Sequence, residues 1–420
     1  MSNIPNGRKI TLDNGLRIVT EEIPTLRSAA MGILISAGSG NETEKESGIS
    51  HFIEHMTFKG TKKRSAFEIA HALDAVGGKI NAYTGKEQTM YYAVVLDKHI
   101  DTAIDVLSDM ILNSLYDPKD MDTEKKVVLE EIKMYEDTPD EQVHDLFAQK
   151  ILHGHPIGKP TIGNEKSVKS FKQKDILNYR KKWYTPADTI ISVAGAIPDD
   201  LIERIKFFFN NWSGNQTVRH PTTPAIKGSI NLKKKKTEQV HLCLGVKGVS
   251  QVDEDRYPYA LLDNLLGGSM SSRLFQEVRE KRGLAYSIFS TSSPFKDFGI
   301  AYVYAGTSKE SLEPVVNLIL EQFSKLKKEG VTKEELEKAR EYMKGTLVLG
   351  LEATSSRMNW LAKSEYNYGR IMTIDEIFDK VDKVSNDDII RLADKFFRSE
   401  VLTLAVIGDM DKLPIKEIRC

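Results

Sequence analysis

Among its 420 residues the chain has only two cysteines, Cys243 and Cys420. That excludes a disulfide framework and fits a reducing compartment. Cys243 lies in the alternating apolar run VHLCLGV and reads as a small buried strand residue. An excess of either charge is also missing, with 59 Lys and Arg against 60 Asp and Glu and a net charge of −1. This balance argues against nucleic acid as a partner. The longest basic run, KKKK at 233–236, is short and flanked by strand-like residues, so it reads as a solvated edge. No apolar stretch approaches the ~18 residues needed to cross a bilayer. The N-terminal MSNIPNGRKITLDNGLRIV has neither an apolar signal core nor Arg/Ser-rich transit character. The expectation is a soluble bacterial cytoplasmic protein without a membrane or nucleic-acid partner; a mature mitochondrial matrix protein would read the same way.

What is present is a folded composition, 40% hydrophobic and 28% charged. The length suits two to three domains at ~150 residues each. GLRIVTEEI and SAAMGILISAGSG read as strands bounded by Gly and Asn turns, and NAYTGKEQTMYYAVVL as a pair of strands. SAFEIAHALDAVGG is a helix stopped by two glycines, and DTAIDVLSDMILNSL and TEKKVVLEEIKMYED follow as amphipathic helices. The fold class is α+β, with long helices packed on mostly antiparallel sheets.

An internal repeat organises the chain. DILNYRKKWYTPADTIISVAGAI at 175–197 aligns without a gap on DIIRLADKFFRSEVLTLAVIGDM at 388–410, placing Gly195 on Gly408. Between them SGNQTVRHPTTPAIKG, 213–228, reads as a linker. Two similar domains of roughly 200 residues are expected: 1–212 for chemistry, 229–420 as its repeat. In the same register His51, Glu54 and His55 fall on Asn264, Gly267 and Gly268. Any chemistry of that triplet belongs to the first half alone.

The triplet sits in SHFIEHMTFKG, 50–60. On a helix, Ile49, Phe52, Ile53 and Met56 form an apolar stripe. His51 and His55 lie one turn apart on the other side, with Glu54 beside them. Histidines at i and i+4 reach one ion across a ligand–ligand span of ~4 Å, which suits Zn²⁺. Glu54 is then placed to take a proton from water rather than to ligate. The order H-x-x-E-H is a metallopeptidase signature. The competing reading is three polar residues on a solvated helix face.

A third ligand is sought on the helix DTEKKVVLEEIKMYED, whose apolar stripe is read through Val127, Val128, Ile132 and Tyr135. Helical spacing projects Glu124 and Glu131 into that stripe and turns Glu130 away. Buried carboxylates need partners, because an unpaired one costs several kcal/mol. A metal for Glu131 and a histidine for Glu124 would serve; so would Lys or Arg from a neighbouring helix.

With these residues the chain resembles the pitrilysin-type zinc peptidases, in the two-domain branch that includes mitochondrial processing peptidase and its bacterial homologues. H-x-x-E-H followed by a glutamate after 75 residues (56–130) is that family's zinc motif, and here the glutamate is Glu131. The resemblance implies one Zn²⁺ per chain on His51, His55 and Glu131, Glu54 as general base and Glu124 as accessory glutamate. It makes GGKINAYTGKEQTMYY the active-site edge strand, with Asn81 and Ala82 contacting substrate by strand addition. Arg279 and Tyr286, in GGSMSSRLFQEVREKRGLAYSIFS, would bind substrate and the developing oxyanion. Glu141 and Asp145 would receive a basic side chain near the cleavage site. The implied protein is a zinc endopeptidase acting on peptides or unfolded segments inside a clamshell chamber. It would be a homodimer in which Arg279 and Tyr286 act across the interface. A non-catalytic structural subunit and a peptide-binding module that does not cut are the alternatives.

Overall fold

Short β-branched and apolar runs, cut by Gly and Asn turns, build two sheets in this computed structural model, which describes residues 7–219 and 222–420. The first sheet has six strands: β1 (Gly7–Thr11), β2 (Arg17–Glu22), β3 (Ser28–Ile35), β4 (Lys79–Thr84), β5 (Thr89–Leu96) and β6 (Thr189–Gly195). Their order is β1-β2-β6-β3-β5-β4. Only β2 and β6 run parallel. The second sheet has β7 (Ser229–Lys234), β8 (Val240–Gly248), β9 (Ala285–Pro294), β10 (Gly299–Thr307) and β11 (Thr403–Gly408), ordered β7-β11-β8-β10-β9. Again one pair, β7 and β11, is parallel.

The second order is the first with β1 removed, so the repeat in the sequence is a repeat of topology. The expected helices form as well. Ile49–Thr57, Ala66–Asp74, Ile100–Asn113, Pro118–Glu136 and Gln173–Trp183 are helical. Ser65 caps the second by accepting from the Glu68 N–H while Glu68 returns the bond. The described residues of 213–228 carry neither helix nor strand. The KKKK run ends β7, an edge strand, and Cys243 is fully buried in β8.

The two compact units are not contiguous halves. The first comprises the described residues of Met1–Lys133, Lys159–His220 and Val348–Ile374, and the second Met134–Gly158, those of Pro221–Leu347, and Asp375–Cys420. The expected division into 1–212 and 229–420 is therefore corrected for two segments. Helix Thr354–Tyr368, from the later half, lies on the first sheet, where Met358, Leu361 and Ala362 bury against Val19, Ala30, Leu34 and Met90. Helix Pro139–Ile151, from the earlier half, lies on the second sheet, where Val143 and Phe147 pack on Cys243, Ala405 and Ile407.

Each sheet admits its helix through a glycine at the same place in the repeat. A Cβ on Gly32 would come within 2.3 Å of Met358 Sδ, and one on Gly245 within 2.7 Å of Phe147 Cζ. Ion pairs from buried carboxylates to half-buried cations then hold Thr354–Tyr368 down: Arg357 to Glu21 at 2.6 Å, and Glu365 to Lys9 at 2.9 Å and Arg17 at 3.3 Å. The opposite face of the first sheet carries the larger core, into which helix Ile49–Thr57 buries Ile49, Phe52, Ile53 and Met56.

Candidate metal centre

Helix Ile49–Thr57 is fixed from its N-terminus. The buried Glu42 carboxylate accepts the Gly48 N–H at 2.7 Å and the Ser50 N–H at 2.8 Å, filling the unpaired donors of the first turn. Burial pushes the Glu42 pKa up to about 7 against the pull of those two bonds. With the apolar stripe in the core, the other face presents His51, Glu54 and His55, all half-buried. On helix Pro118–Glu136 the buried stripe is Met121, Glu124, Val128 and Ile132. Val127 is 47% exposed, which corrects the expected stripe. Glu124 sits within the stripe, and Glu131, 37% exposed at its side chain, on its flank. Glu130 points to solvent and pairs with Lys133 at 2.7 Å.

These two helices bring His51, His55 and Glu131 together, with one ligand atom from each within 4.8 Å of the others. His55 Nδ1 lies 2.8 Å from Glu124 Oε1, and Glu124 Oε2 takes Lys59 Nζ at 2.6 Å. Donation from Nδ1–H to this carboxylate leaves His55 Nε2 with a bare lone pair. That atom lies 3.6 Å from Glu131 Oε2, and His51 Nε2 lies 3.7 Å from Glu131 Oε1. Both separations exceed a hydrogen bond. The negative Glu131 carboxylate facing two ring nitrogens at such distances calls for a cation among them, which a metal ion or a proton on His55 would supply.

The donor set of two imidazoles and a carboxylate is one that Zn²⁺ accepts, and three protein ligands are what catalytic zinc sites use. The two histidines differ in their affinity for protons. Burial, aided by neighbouring His55, lowers the His51 pKa to about 4, so His51 is neutral at physiological pH. Burial opposes a charge on His55, but the Glu124 hydrogen bond and the Glu131, Glu124 and Glu54 carboxylates outweigh it and raise its pKa. His51 Nδ1 is buried without a partner among the described residues.

Glu54, one residue before His55, does not join the ligand set. Its Oε2 accepts a hydrogen bond from Thr84 at the end of β4. Burial raises its pKa, opposed by Thr84 and His55 and assisted by Glu131. The carboxylate thus sits beside the three ligands with an affinity for protons above the ordinary one. β4 itself is an edge strand, and the Ala82 N–H is met by the side-chain oxygen of Asn81 at 2.8 Å.

The remaining expected residues lie in the second unit. Arg279 and Tyr286 do meet: the guanidinium is 5.0 Å from the Tyr286 ring centroid and 4.8 Å from that of Phe275. Tyr286 is 77% exposed. Glu141 and Asp145 lie one turn apart on helix Pro139–Ile151. The Tyr135 hydroxyl donates to the Glu141 carbonyl at 3.0 Å. Its pKa is raised, by burial first and then by Asp145. In this unit the counterpart of the metal helix cannot hold the same chemistry. A Cβ on Gly267, the repeat position of Glu54, would fall 2.4 Å from the Ser290 backbone nitrogen of β9. The helix has closed onto its edge strand where the first unit keeps room for a carboxylate.

Two family profiles match the chain, "Insulinase (Peptidase family M16)" over residues 17–165 and "Peptidase M16 inactive domain" over 170–343. The sequence is 44% identical over 407 residues to the uncharacterized zinc protease YmxG of Bacillus subtilis, spanning 97% of this chain and 99% of that one. The chain belongs to the M16 peptidase family. An uncharacterized zinc protease of Streptomyces coelicolor is 40% identical over 412 residues, covering 96% of this chain and 90% of its own. The crystal structure of a Helicobacter pylori protease superposes with a TM-score of 0.90 at 23% identity, over 96% of this chain and all of that one. A Pseudomonas fluorescens M16 inactive-domain structure gives 0.90 at 18%, over 96% and 98%. These two share the M16 fold of this chain.

Sequence reasoning missed Glu42, Lys59 and Thr84. Lys59 lies one turn after His55 and Thr84 two residues after Ala82, so helical and strand periodicity could have found both. Glu42 carries no such signal, because it reaches the helix from a separate turn.

Proposed function

We propose that the protein is a zinc-dependent endopeptidase acting on extended peptides or unfolded segments. The observation that carries this reading is the convergence of potential ligand atoms from His51, His55 and Glu131, with Glu54 on the same helix as the two histidines. A Zn²⁺ held by these three residues would supply Lewis acidity toward water and toward the scissile carbonyl. Glu54 accepts the proton of the attacking water and passes it to the leaving amine, work suited to a carboxylate whose pKa is raised by burial. Glu124 holds His55 in the tautomer that frees Nε2. The outer edge of β4, at Asn81 and Ala82, would offer backbone pairing to an extended chain with little sequence preference once the Asn81 side chain releases the Ala82 N–H. Arg279 and Tyr286 are assigned to contacts with bound peptide, and Glu141 and Asp145 to a basic side chain of it.

The test is cleavage of a fluorogenic peptide library by wild type and Glu54→Gln, with and without chelator, alongside zinc content. Glu54→Gln should keep its zinc and lose turnover. Unchanged turnover in that variant removes Glu54 from the mechanism. A wild type that binds zinc and cuts nothing favours a non-catalytic subunit.

A further inference from the structure

We propose that Thr84 is a positioning residue for Glu54, so that the strand offered to the peptide also aims the general base. This rests on the endopeptidase reading above. Thr84 is the last residue of β4, and its hydroxyl donates to Glu54 Oε2. Strand alternation puts it on the side of Ile80 and Ala82, which pack against the core that buries helix Ile49–Thr57. With one acceptor site of Oε2 taken by Thr84, Oε1 is the less encumbered oxygen to take a proton from water. Without the bond the carboxylate turns freely about its last torsion, a broad, soft rotation.

The strand is held so that Thr84 can do this. On the other face of β4 the Tyr83 hydroxyl donates to Asn359 Oδ1 at 3.1 Å, and Lys363 Nζ lies 6.0 Å from the Tyr83 ring centroid. Both partners belong to helix Thr354–Tyr368. Just beyond Thr84, the Gly85 carbonyl accepts the Ser39 N–H at 3.0 Å, and the Gly85 N–H donates to Gln88 at 2.8 Å. The end of the edge strand is therefore tied at Tyr83, Thr84 and Gly85. The alternative is that Thr84 only satisfies a half-buried carboxylate and contributes to stability.

Thr84→Val keeps the β-branch and the strand preference and removes the donor. With the peptide that wild type cleaves fastest, kcat should fall about ten- to hundredfold, the range for losing a hydrogen bond to a charged group. KM and zinc content should stay within about twofold, since neither the strand edge nor the ligands change. Thr84→Ser should restore kcat. Thr84→Ala, which places no methyl group against Glu54, is the second variant and must show the same split if Thr84→Val folds poorly. An unchanged kcat overturns the proposal, as does a loss carried by KM or by zinc, or a Thr84→Ser variant no better than Thr84→Val. The wild type and Glu54→Gln measured in parallel separate the two readings. If wild type cleaves in a chelator-sensitive way and Glu54→Gln does not, a failed Thr84 result counts against Thr84 alone. If wild type does not cleave, both readings fall.

Discussion

Replacing Glu124 by Gln asks whether a carboxylate that touches no metal sets the strength of the metal site. Glu124 is 3% exposed and bridges His55 Nδ1 at 2.8 Å and Lys59 Nζ at 2.6 Å. Burial opposes its charge, but the His55 and Lys59 hydrogen bonds outweigh that and lower its pKa, so it is ionised at neutral pH. Glutamine fills the same space but can satisfy only one neighbour. With its oxygen toward Lys59, its NH2 faces His55 Nδ1, which must then accept, moving the imidazole proton to the ligand nitrogen Nε2. With its oxygen toward His55, the NH2 confronts the Lys59 ammonium. Lys59 is 36% exposed, so water can replace much of what it loses. The cost therefore falls mainly on His55 as a ligand. Residues that orient metal ligands are worth about 10–100-fold in affinity, or about 1.4–2.8 kcal/mol. Zinc titration in competition with a chromogenic chelator should show that loss for Glu124→Gln and none for Glu130→Gln, whose side chain faces solvent. An affinity within about twofold of wild type for Glu124→Gln would refute the tautomer argument.

Zinc affinity should also depend on pH in a defined direction. In the metal-free protein the His55 pKa is raised above its usual 6.5, so an ion must displace a proton there. Affinity should fall about tenfold per pH unit below that raised value, and more steeply below about pH 4, where His51 also protonates. Above pH 6.5, metal-free stability should move the other way; below it, His51, whose pKa burial lowers to about 4, works against His55. His55 contributes stability that is fully present below pH 6.5 and lost as pH rises through the raised pKa. Chelator titrations from about pH 5 to 8 check the first, and melting curves of stripped protein check the second; flat profiles would count against both. We further propose that the active form is a homodimer in which Arg279 and Tyr286 of one copy serve the zinc unit of the other. Sedimentation should find activity only in the dimer, and a fully active monomer excludes the arrangement.

Much of the candidate site was legible before any coordinates. The stripe of Ile49, Phe52, Ile53 and Met56 is fully buried, and the face opposite carries the triplet as helical periodicity requires. Spacing also distinguished Glu131, which faces His51, from Glu130, which pairs with Lys133, although Val127 proved exposed and Glu131 flanks the stripe rather than occupying its middle. The contacts that tune the site were harder to read. The bond from Thr84 to Glu54 joins residues 30 apart in sequence, and the bond from Glu124 to His55 joins residues 69 apart.

By itself the sequence determined the α+β class, the repeat, the helix face that carries His51, Glu54 and His55 and the half of the chain that holds them. All of these follow from local periodicity, turn residues and self-comparison, which need no partner to be seen. Only the tertiary structure decided that helices Pro139–Ile151 and Thr354–Tyr368 cover each other's sheets. An amphipathic helix encodes an apolar stripe but not the address of the surface that buries it. It also decided that the second half keeps no room for a counterpart of Glu54. Gly267 sits against Ser290 so closely that no side chain fits where the first half keeps Glu54. A glycine in a sequence reports a missing side chain, and only the packing around it tells whether the space was kept or closed.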